Sequence, residues 1–383
     1  MRQIEEVRKE INEIDRQIVD LFLRRMKCAE EVSDFKMHTG GQVLVTQREN
    51  ELLHTMLQNV PEQLQQEYTS LLRTTTRISR KYQYARMLKA EPYRLQLPIT
   101  ARIDSPKTVC YQGLEASYQE AAVKALFPNA DRYHLRTFED VFLDVSEGRA
   151  DAGVVPVENS TAGTVNEVYD LLEKHGLYIS HSYIGRVRHC LAACPGATLE
   201  GIQTVHSHPQ ALRQCYHYIQ DHGFAEVKDT NTAIAAQNIA KSGDMTRAAI
   251  CSEDAAKLYG LTILEHNIND GDFNQTRFIA VTRGLSAKKE DNRVSLILIL
   301  PHVAGSLYAA LSVFSDYGLN MTEIHSRPLQ NMPWNYCFYI DFAGNILDED
   351  TRTMLYQLMQ EIPVVRILGS FPVIEEEGLN ETN

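Results

Sequence analysis

Three cations stand beside one apolar stripe near the start of the chain, an arrangement suited to holding a small, multiply charged anion. Ile4, Ile11, Ile18 and Val32 fall at heptad intervals, with Val7, Ile14, Leu21, Cys28 and Phe35 on the offset positions, the seam of a coiled coil. Arg25 fills the remaining seam position, and Arg8 and Lys36 lie one place outside it. A guanidinium within an apolar seam is costly unless an anion meets it, and Asp15 or Asp34 would have to swing inward to do so. Arg8 or Lys36 taken singly reads more simply as a solvated flanking charge. At about 1.5 Å of rise per residue, Arg25 and Lys36 are roughly 16 Å apart along a helix, within reach of two converging side chains. Arg8, roughly 42 Å from Lys36, could join that site only from a second chain packed antiparallel.

A second group of polar residues sits in four turns, each opening a helix: GLEAS before Tyr118, ENSTAGT before Val165, SHPQ before Ala211 and DTNTA before Ile234. Unpaired amides at helix starts bind anions, and ligands collect at strand ends in open α/β sheets. Any one of these turns is more simply an ordinary cap. Their conjunction points to an anionic ligand. His189 and His208 have neither a partner carboxylate nor metal-ligand spacing, which favours structural hydrogen bonding for both.

Elements must position these groups. With 383 residues, 44% of them hydrophobic, the chain can bury two or three cores. Residues 1–39 lack Gly and Pro, so one long helix runs to Gly40-Gly41; a second starts near Thr46 and a third near Pro61. A capping box of Thr46 and Glu49 is a simple structural reading of Glu49, and Ser79 with Gln83 could be plain polar surface. Pro92, Pro98 and Pro106 mark a linker over 91–105. From 106 to 285, short apolar runs alternate with helical stretches, the pattern of an α/β fold with largely parallel strands. After SAKKEDN, the tail (292–383) reads βαββαβ, the ferredoxin-like α+β order, with strands at Val294–Leu300, Leu319–Leu329, Trp334–Phe342 and Val364–Phe371.

The formal charge of −12 argues against nucleic-acid binding, and residues 1–90 hold 15 Lys and Arg against 13 Asp and Glu, so cations concentrate at that end. Apolar runs are too short for a membrane span, and the charged start reads as unexported and cytoplasmic. Seven cysteines without a CxxC pair read as reduced thiols, with no metal site and no cofactor.

Residues 4–84 resemble the all-helical chorismate mutases at Arg8, Asp15, Arg25, Lys36, Arg48, Glu49, Ser79 and Gln83; Val45 stands where an aspartate is usual. The resemblance implies a three-helix unit in an intertwined dimer. It assigns Lys36 and Gln83 to the ether oxygen of chorismate, and Arg25 and the second chain's Arg8 to its carboxylates. Arg48, Glu49 and Ser79 complete that site. A pericyclic rearrangement needs no nucleophile, so cations and amides suffice.

VPVENSTAGTV at Val155, SHPQALRQC at Ser207 and NQTRFIAV at Asn274 resemble prephenate dehydratases across Lys107 to Arg283, which implies a two-lobed α/β domain. Thr276 is then the proton donor to the departing hydroxyl, with Arg277 and Phe278 shaping the site. Glu158, Asn159, Ser160, Ser207, Gln210, Gln214 and Thr232 would line it. A threonine hydroxyl is a weak acid and would need a strong hydrogen-bond environment to serve. Ala116, Gln119 and Asn231 depart from the family's usual glycine, serine and serine.

The tail resembles ACT regulatory domains, with Gly305-Ser306-Leu307 and Ser326-Arg327-Pro328 as the implied phenylalanine site and His325 in place of a usual glutamate. The whole order resembles the bifunctional chorismate mutase/prephenate dehydratase family, implying chorismate and prephenate as substrates, phenylalanine as effector, and a homodimer or higher homo-oligomer. Two other readings stay open on sequence: a dehydratase whose helices serve only dimerisation, and a non-catalytic small-molecule sensor.

Overall fold

The computed structural model describes residues 2–91, 93–271, 273–329 and 336–376. The opening helices are α1 (Ile4–Thr39), α2 (Thr46–Leu57) and α3 (Gln65–Met87), the three expected. Gly40 ends α1 because its φ of 71° suits a left-handed cap, and its amide donates to the Lys36 carbonyl. No capping box forms at α2: Val45 is the cap residue without a side-chain bond, and Glu49 pairs with Arg80 instead.

The middle of the chain runs β1 (Thr108–Gln112), α4 (Tyr118–Leu126), β2 (Asp131–Leu135), α5 (Phe138–Ser146), β3 (Ala152–Asn159), β4 (Gly163–Thr164), α6 (Asn166–His175) and β5 (Tyr178–Arg186). It then crosses to β6 (Cys190–Ala193), β7 (Thr204–Ser207), α7 (Pro209–Gln214), α8 (Tyr216–His222), β8 (Ala225–Lys228), α9 (Thr232–Ser242), β9 (Arg247–Cys251), α10 (Glu253–Leu258) and β10 (Thr262–Glu265). It returns in β11 (Gln275–Thr282). The tail follows as β12 (Arg293–Leu300), α11 (Ser306–Asp316), β13 (Met321–Pro328), β14 (Tyr336–Ala343), α12 (Glu349–Glu361) and β15 (Val364–Phe371), the expected βαββαβ order, and ends in β16 (Val373–Glu375). The start of the expected strand at Trp334 and the chain beyond 376 lie outside the described residues.

Two compact units result, Met1–Leu97 with Leu296–Arg366, and Pro98–Ser295 with Ile367–Asn383. In the first, the tail strands follow the ferredoxin-like order β13-β14-β12-β15. Its helices pack on α3, where Tyr84 meets Tyr356 edge-on and Arg77 forms a two-pronged pair with Asp316 at 2.6 and 3.2 Å. The face of α1 carrying Ile4, Ile11, Ile18, Leu21 and Phe35 is exposed, from 50% at Ile11 to 68% at Phe35.

The second unit has two lobes, with strand orders β5-β11-β3-β1-β2 and β10-β6-β9-β7-β8. The expectation of largely parallel strands holds for β1 with β2 and β3, and for β7 with β8 and β9. Elsewhere it fails: β11 lies antiparallel between β3 and β5, and β6 is antiparallel to β9 and β10. The chain crosses between lobes after β5 and returns after β10, so β11 enters the first sheet without a helical crossover and from the opposite direction. Each lobe buries its own apolar cluster, around Val109 and Phe278 in one and around Leu191 and Ile219 in the other.

The segment expected as a linker is held at its C-terminal end. Thr100 donates its amide to the Leu285 carbonyl at 2.7 Å, and Arg102 grips buried Asp291 with two 2.6 Å bonds. A pair this dry needs both carboxylate oxygens and the remaining guanidinium donors satisfied, and the Ser370 carbonyl accepts from Nη2.

Gly153 in β3 shows how closely the first lobe is packed. A Cβ there would lie 2.6 Å from Val141 Cγ1 and 3.0 Å from Val145 Cγ2. Gly153→Ala is expected to destabilise the second unit by about 1–3 kcal/mol, read as a lowered denaturant midpoint for its unfolding transition.

Candidate active sites

The lobes of the second unit enclose a cleft of about 540 Å³, lined by three of the four polar turns and by the start of the helix that the first turn opens. Tyr118 and Gln119 open α4 just after the first turn, Asn159 and Thr164 come from the second turn, His208 and Gln210 from the third, and Thr230 to Thr232 from the fourth. Ser117, His208 and Asn231 also cap their helices, accepting from Glu120, Gln210 and Ala233 amides, so the simple reading and the site reading both apply. No lining residue is charged among those described. An anion here would meet only helix-start amides and neutral donors.

Thr276 lines the cleft directly across from Asn159, its register partner on β3. Asn159 Nδ2 donates to Thr276 Oγ1 at 2.9 Å, and also to Asn274 Oδ1 at 2.9 Å and the Gln275 carbonyl at 3.1 Å. Its Oδ1 accepts from the amides of Thr161 and Ala162, from Thr161 Oγ1 and from Gln210 Nε2. Asn159 lines the cleft as expected, and its polar atoms are also bonded to protein. It is the post that holds Thr276. A donor aimed at the threonine oxygen polarises the hydroxyl and leaves its proton to face the cleft, which is the environment the sequence could not display.

Gln210, Gln214, Thr232 and Phe278 also line the cleft, as expected. Four expected residues are placed otherwise. Ser207 is fully buried, its Oγ donating to the Ile250 carbonyl at 2.6 Å, because its strand position points into the lobe core. Ser160 is spent joining two segments, donating to the Phe273 carbonyl and accepting from the Gln275 amide. Glu158 and Arg277 face each other in register between β3 and β11, and neither lines the cleft. Alternation along a strand sends them to the face opposite Asn159 and Thr276, where Arg277 donates to Tyr169 Oη at 3.3 Å.

Tyr118 and His189 are among the lining residues not singled out as site residues. Tyr118 donates to the Arg188 carbonyl at 2.6 Å and lies 3.1 Å from His189 Nδ1. His189, whose other nitrogen meets Gln214 Oε1 at 3.0 Å, is pushed by burial down to about 4 and is therefore neutral near pH 7. His208 is likewise lowered, first by burial and then by Arg213. Both histidines make the structural hydrogen bonds expected of them.

In the helical unit, Arg25, Lys36, Ser79 and Gln83 come together between α1 and α3. Arg25 Nη1 donates to Ser79 Oγ and, at 3.1 Å, to the Thr75 carbonyl. Lys36 Nζ donates to Gln83 Oε1 at 3.2 Å and to the Val43 carbonyl at 2.9 Å, while Gln83 Nε2 donates to the Ser79 carbonyl. Burial lowers both cations from their ordinary values, opposed in each case by Glu49. Asp34 does not swing inward: Arg86 holds it through two 3.0 Å bonds. Lys36 has three N–H groups with two used, and Gln83 two with one used, so each retains a donor for a ligand. Arg8 and Arg48 are exposed and stand apart from this cluster within one chain. Arg80 is the residue missed here; it bonds Glu49 Oε1 at 2.5 Å.

In the tail, a cavity of about 250 Å³ is lined by Ser306 with His302, Val303, Tyr336 and Phe338 among others. Gly305 precedes α11 with φ 85°, and Leu307 follows in its first turn; neither lines the cavity. Ser326 and Pro328 lie opposite Phe338 and Tyr336 in the β13–β14 ladder, with Arg327 opposite Cys337, so the two expected segments flank the cavity without Ser326, Arg327 or Pro328 lining it.

Residues 7–84 match the chorismate mutase type II family and residues 109–285 the prephenate dehydratase family. The chain is 35% identical over 286 residues to arogenate dehydratase/prephenate dehydratase 1 of Arabidopsis thaliana, covering 70% of this chain and 73% of that protein. The chain belongs to the prephenate dehydratase family. It carries a type II chorismate mutase domain ahead of the dehydratase domain, and across 97% of its length it is 29% identical to 98% of the bifunctional chorismate mutase/prephenate dehydratase of Aquifex aeolicus. The solved prephenate dehydratase of Arthrobacter aurescens, in complex with L-Phe, has a TM-score of 0.64 at 29% identity, covering 69% of this chain and 90% of that one.

The dehydratase cleft makes a sharp demand on Asn159. In Asn159→Asp the carboxylate can only accept, so the Thr276 proton turns toward it and is lost to the cleft; dehydratase kcat is expected to fall about 10²–10³-fold with mutase kcat unchanged.

Proposed function

We propose that the chain rearranges chorismate to prephenate in the helical unit and converts prephenate to phenylpyruvate in the two-lobed cleft, under control by phenylalanine at the tail. The observation that carries the second step is the Asn159 amide donating to Thr276 Oγ1 at the wall of a cleft lined by three helix-opening turns and the start of α4. Prephenate lies with its carboxylates toward the amides that start α4, α6 and α9. Its ring carboxylate leaves as carbon dioxide, the bonding pair enters the ring, and hydroxide departs as water with the Thr276 proton, which solvent replaces. The ring becomes aromatic, so the protein need supply only binding, charge placement and one donor.

In the helical unit no bond to protein forms. The ether C–O bond breaks while a C–C bond closes, and negative charge grows on the ether oxygen. The remaining donors of Lys36 and Gln83 face that oxygen, Arg25 takes a carboxylate, and Glu49 and Ser79 meet polar groups of the substrate. The exposed stripe of α1 is the surface for a second copy, in an intertwined dimer that brings the partner chain's Arg8, with Arg48, to the open side of the site. Phenylalanine sits beside Gly305-Ser306-Leu307 and Ser326-Arg327-Pro328, where two tail modules of ACT type pair. Cysteines outside any disulfide suit work in the cytoplasm.

Lys36→Ala should lower mutase kcat/KM about 10²–10³-fold and spare the dehydratase, and Thr276→Val should do the reverse, when chorismate and prephenate are supplied separately. Loss of both activities from either substitution would contradict two independent sites.

A further inference from the structure

Arg80 of α3 lies between two carboxylates from different parts of the chain. Its Nη1 bonds Glu49 Oε1 at 2.5 Å, and its Nε bonds Glu361 Oε1 at 2.8 Å. Glu361 is the last residue of α12, in the tail, while Glu49 belongs to α2 and raises both Arg25 and Lys36 against the effect of burial. The Arg80 side chain is only 13% exposed and that of Glu361 11%, so the pair is held largely out of water. Gln357, one turn back on α12, donates to the same Glu361 oxygen at 3.2 Å.

A guanidinium offers its Nε and Nη groups in a rigid plane, so fixing one edge fixes the direction of the other. With Nε anchored by Glu361, Nη1 has one place to present itself, and Glu49 is held there. We infer that Glu361 is a positioning residue of the mutase site: through Arg80 it sets where the Glu49 carboxylate stands relative to Arg25 and Lys36, and so makes mutase catalysis depend on a side chain of the tail. This rests on the mutase reading of the helical unit.

The geometry supplies its own control. Arg77, one turn before Arg80 on α3, pairs with Asp316 across the same helix–tail contact at 2.6 Å, with both side chains 15% exposed, and touches none of the mutase residues. If the tail matters only by docking, Asp316→Asn and Glu361→Gln should act alike. If Glu361 positions Glu49, they should differ.

The test is steady-state kinetics of the full-length chain with chorismate and, separately, prephenate, for wild type, Glu361→Gln, Glu361→Asp, Asp316→Asn, Glu49→Gln and the Glu49→Gln/Glu361→Gln double variant. Glu361→Gln is expected to lower mutase kcat/KM about tenfold, the loss of one charge-assisted anchor, with the same division between KM and kcat as Glu49→Gln. In the double variant it should add nothing further, Glu361→Asp should recover part of the loss, and Asp316→Asn should leave mutase kinetics at the wild-type level. Prephenate turnover should be unchanged throughout. Unaltered mutase kinetics in Glu361→Gln, an equal loss in Asp316→Asn, or independent losses in the double variant would each overturn the inference. A wild-type chain that fails to consume chorismate would instead remove the mutase reading itself.

Discussion

Keeping Arg25 and Lys36 charged while partly out of water is the constraint on which the helical site depends. Burial lowers both, and a carboxylate placed on either would restore the charge but fill the place meant for substrate. The fold gives them mainly neutral acceptors instead: Ser79 Oγ and the Thr75 carbonyl for one, Gln83 Oε1 and the Val43 carbonyl for the other. The nearest carboxylates are engaged elsewhere, Asp34 by Arg86 and Glu49 by Arg80. What remains around them is spare positive charge and spare donors, which a dicarboxylate would complete.

The dehydratase cleft would have to meet a similar anion by another route. Its lining has no ionised side chain among the described residues, so helix-start amides and fixed dipoles would do the work of cations. Asn159 connects the parts: it ties the turn after β3 to β11 and to Gln210 of the opposite lobe, and it turns the Thr276 oxygen into an acceptor so that the proton is left over. Burial of His189 keeps a second potential cation neutral. The two sites thus differ in charge while sharing one principle, that donors are placed before the ligand arrives.

Much of this was legible in the residues. Gly40-Gly41 and Pro61 delimited three helices because backbone chemistry is local, and the tail's βαββαβ order followed from alternating patterns. The four turns were legible as a group, since each ends a strand and opens a helix. Strand direction was not, because β11 returns from a second lobe and no local pattern encodes that. Side-chain direction failed where strand alternation decided it: Ser207, Glu158 and Arg277 belong to motifs near the cleft but point elsewhere. Arg80 was invisible for a related reason, since its partner Glu361 is 281 residues away in sequence. The exposed stripe of α1, legible as a coiled-coil seam, remains uncovered within one chain, and that is the feature a second copy would complete.

The most direct test of the charged pocket is the pH dependence of mutase kcat/KM, which reports the ionisation of the free enzyme. Lys36 must carry its proton to donate, and burial holds it below the ordinary lysine value of 10.5. Activity should therefore be flat through neutrality and fall as pH rises through a limb below that value, and the limb should vanish from the residual activity of Lys36→Gln. A rate that holds to the ordinary lysine range, or an identical limb in the variant, would show that a desolvated Lys36 is not what the helical site runs on.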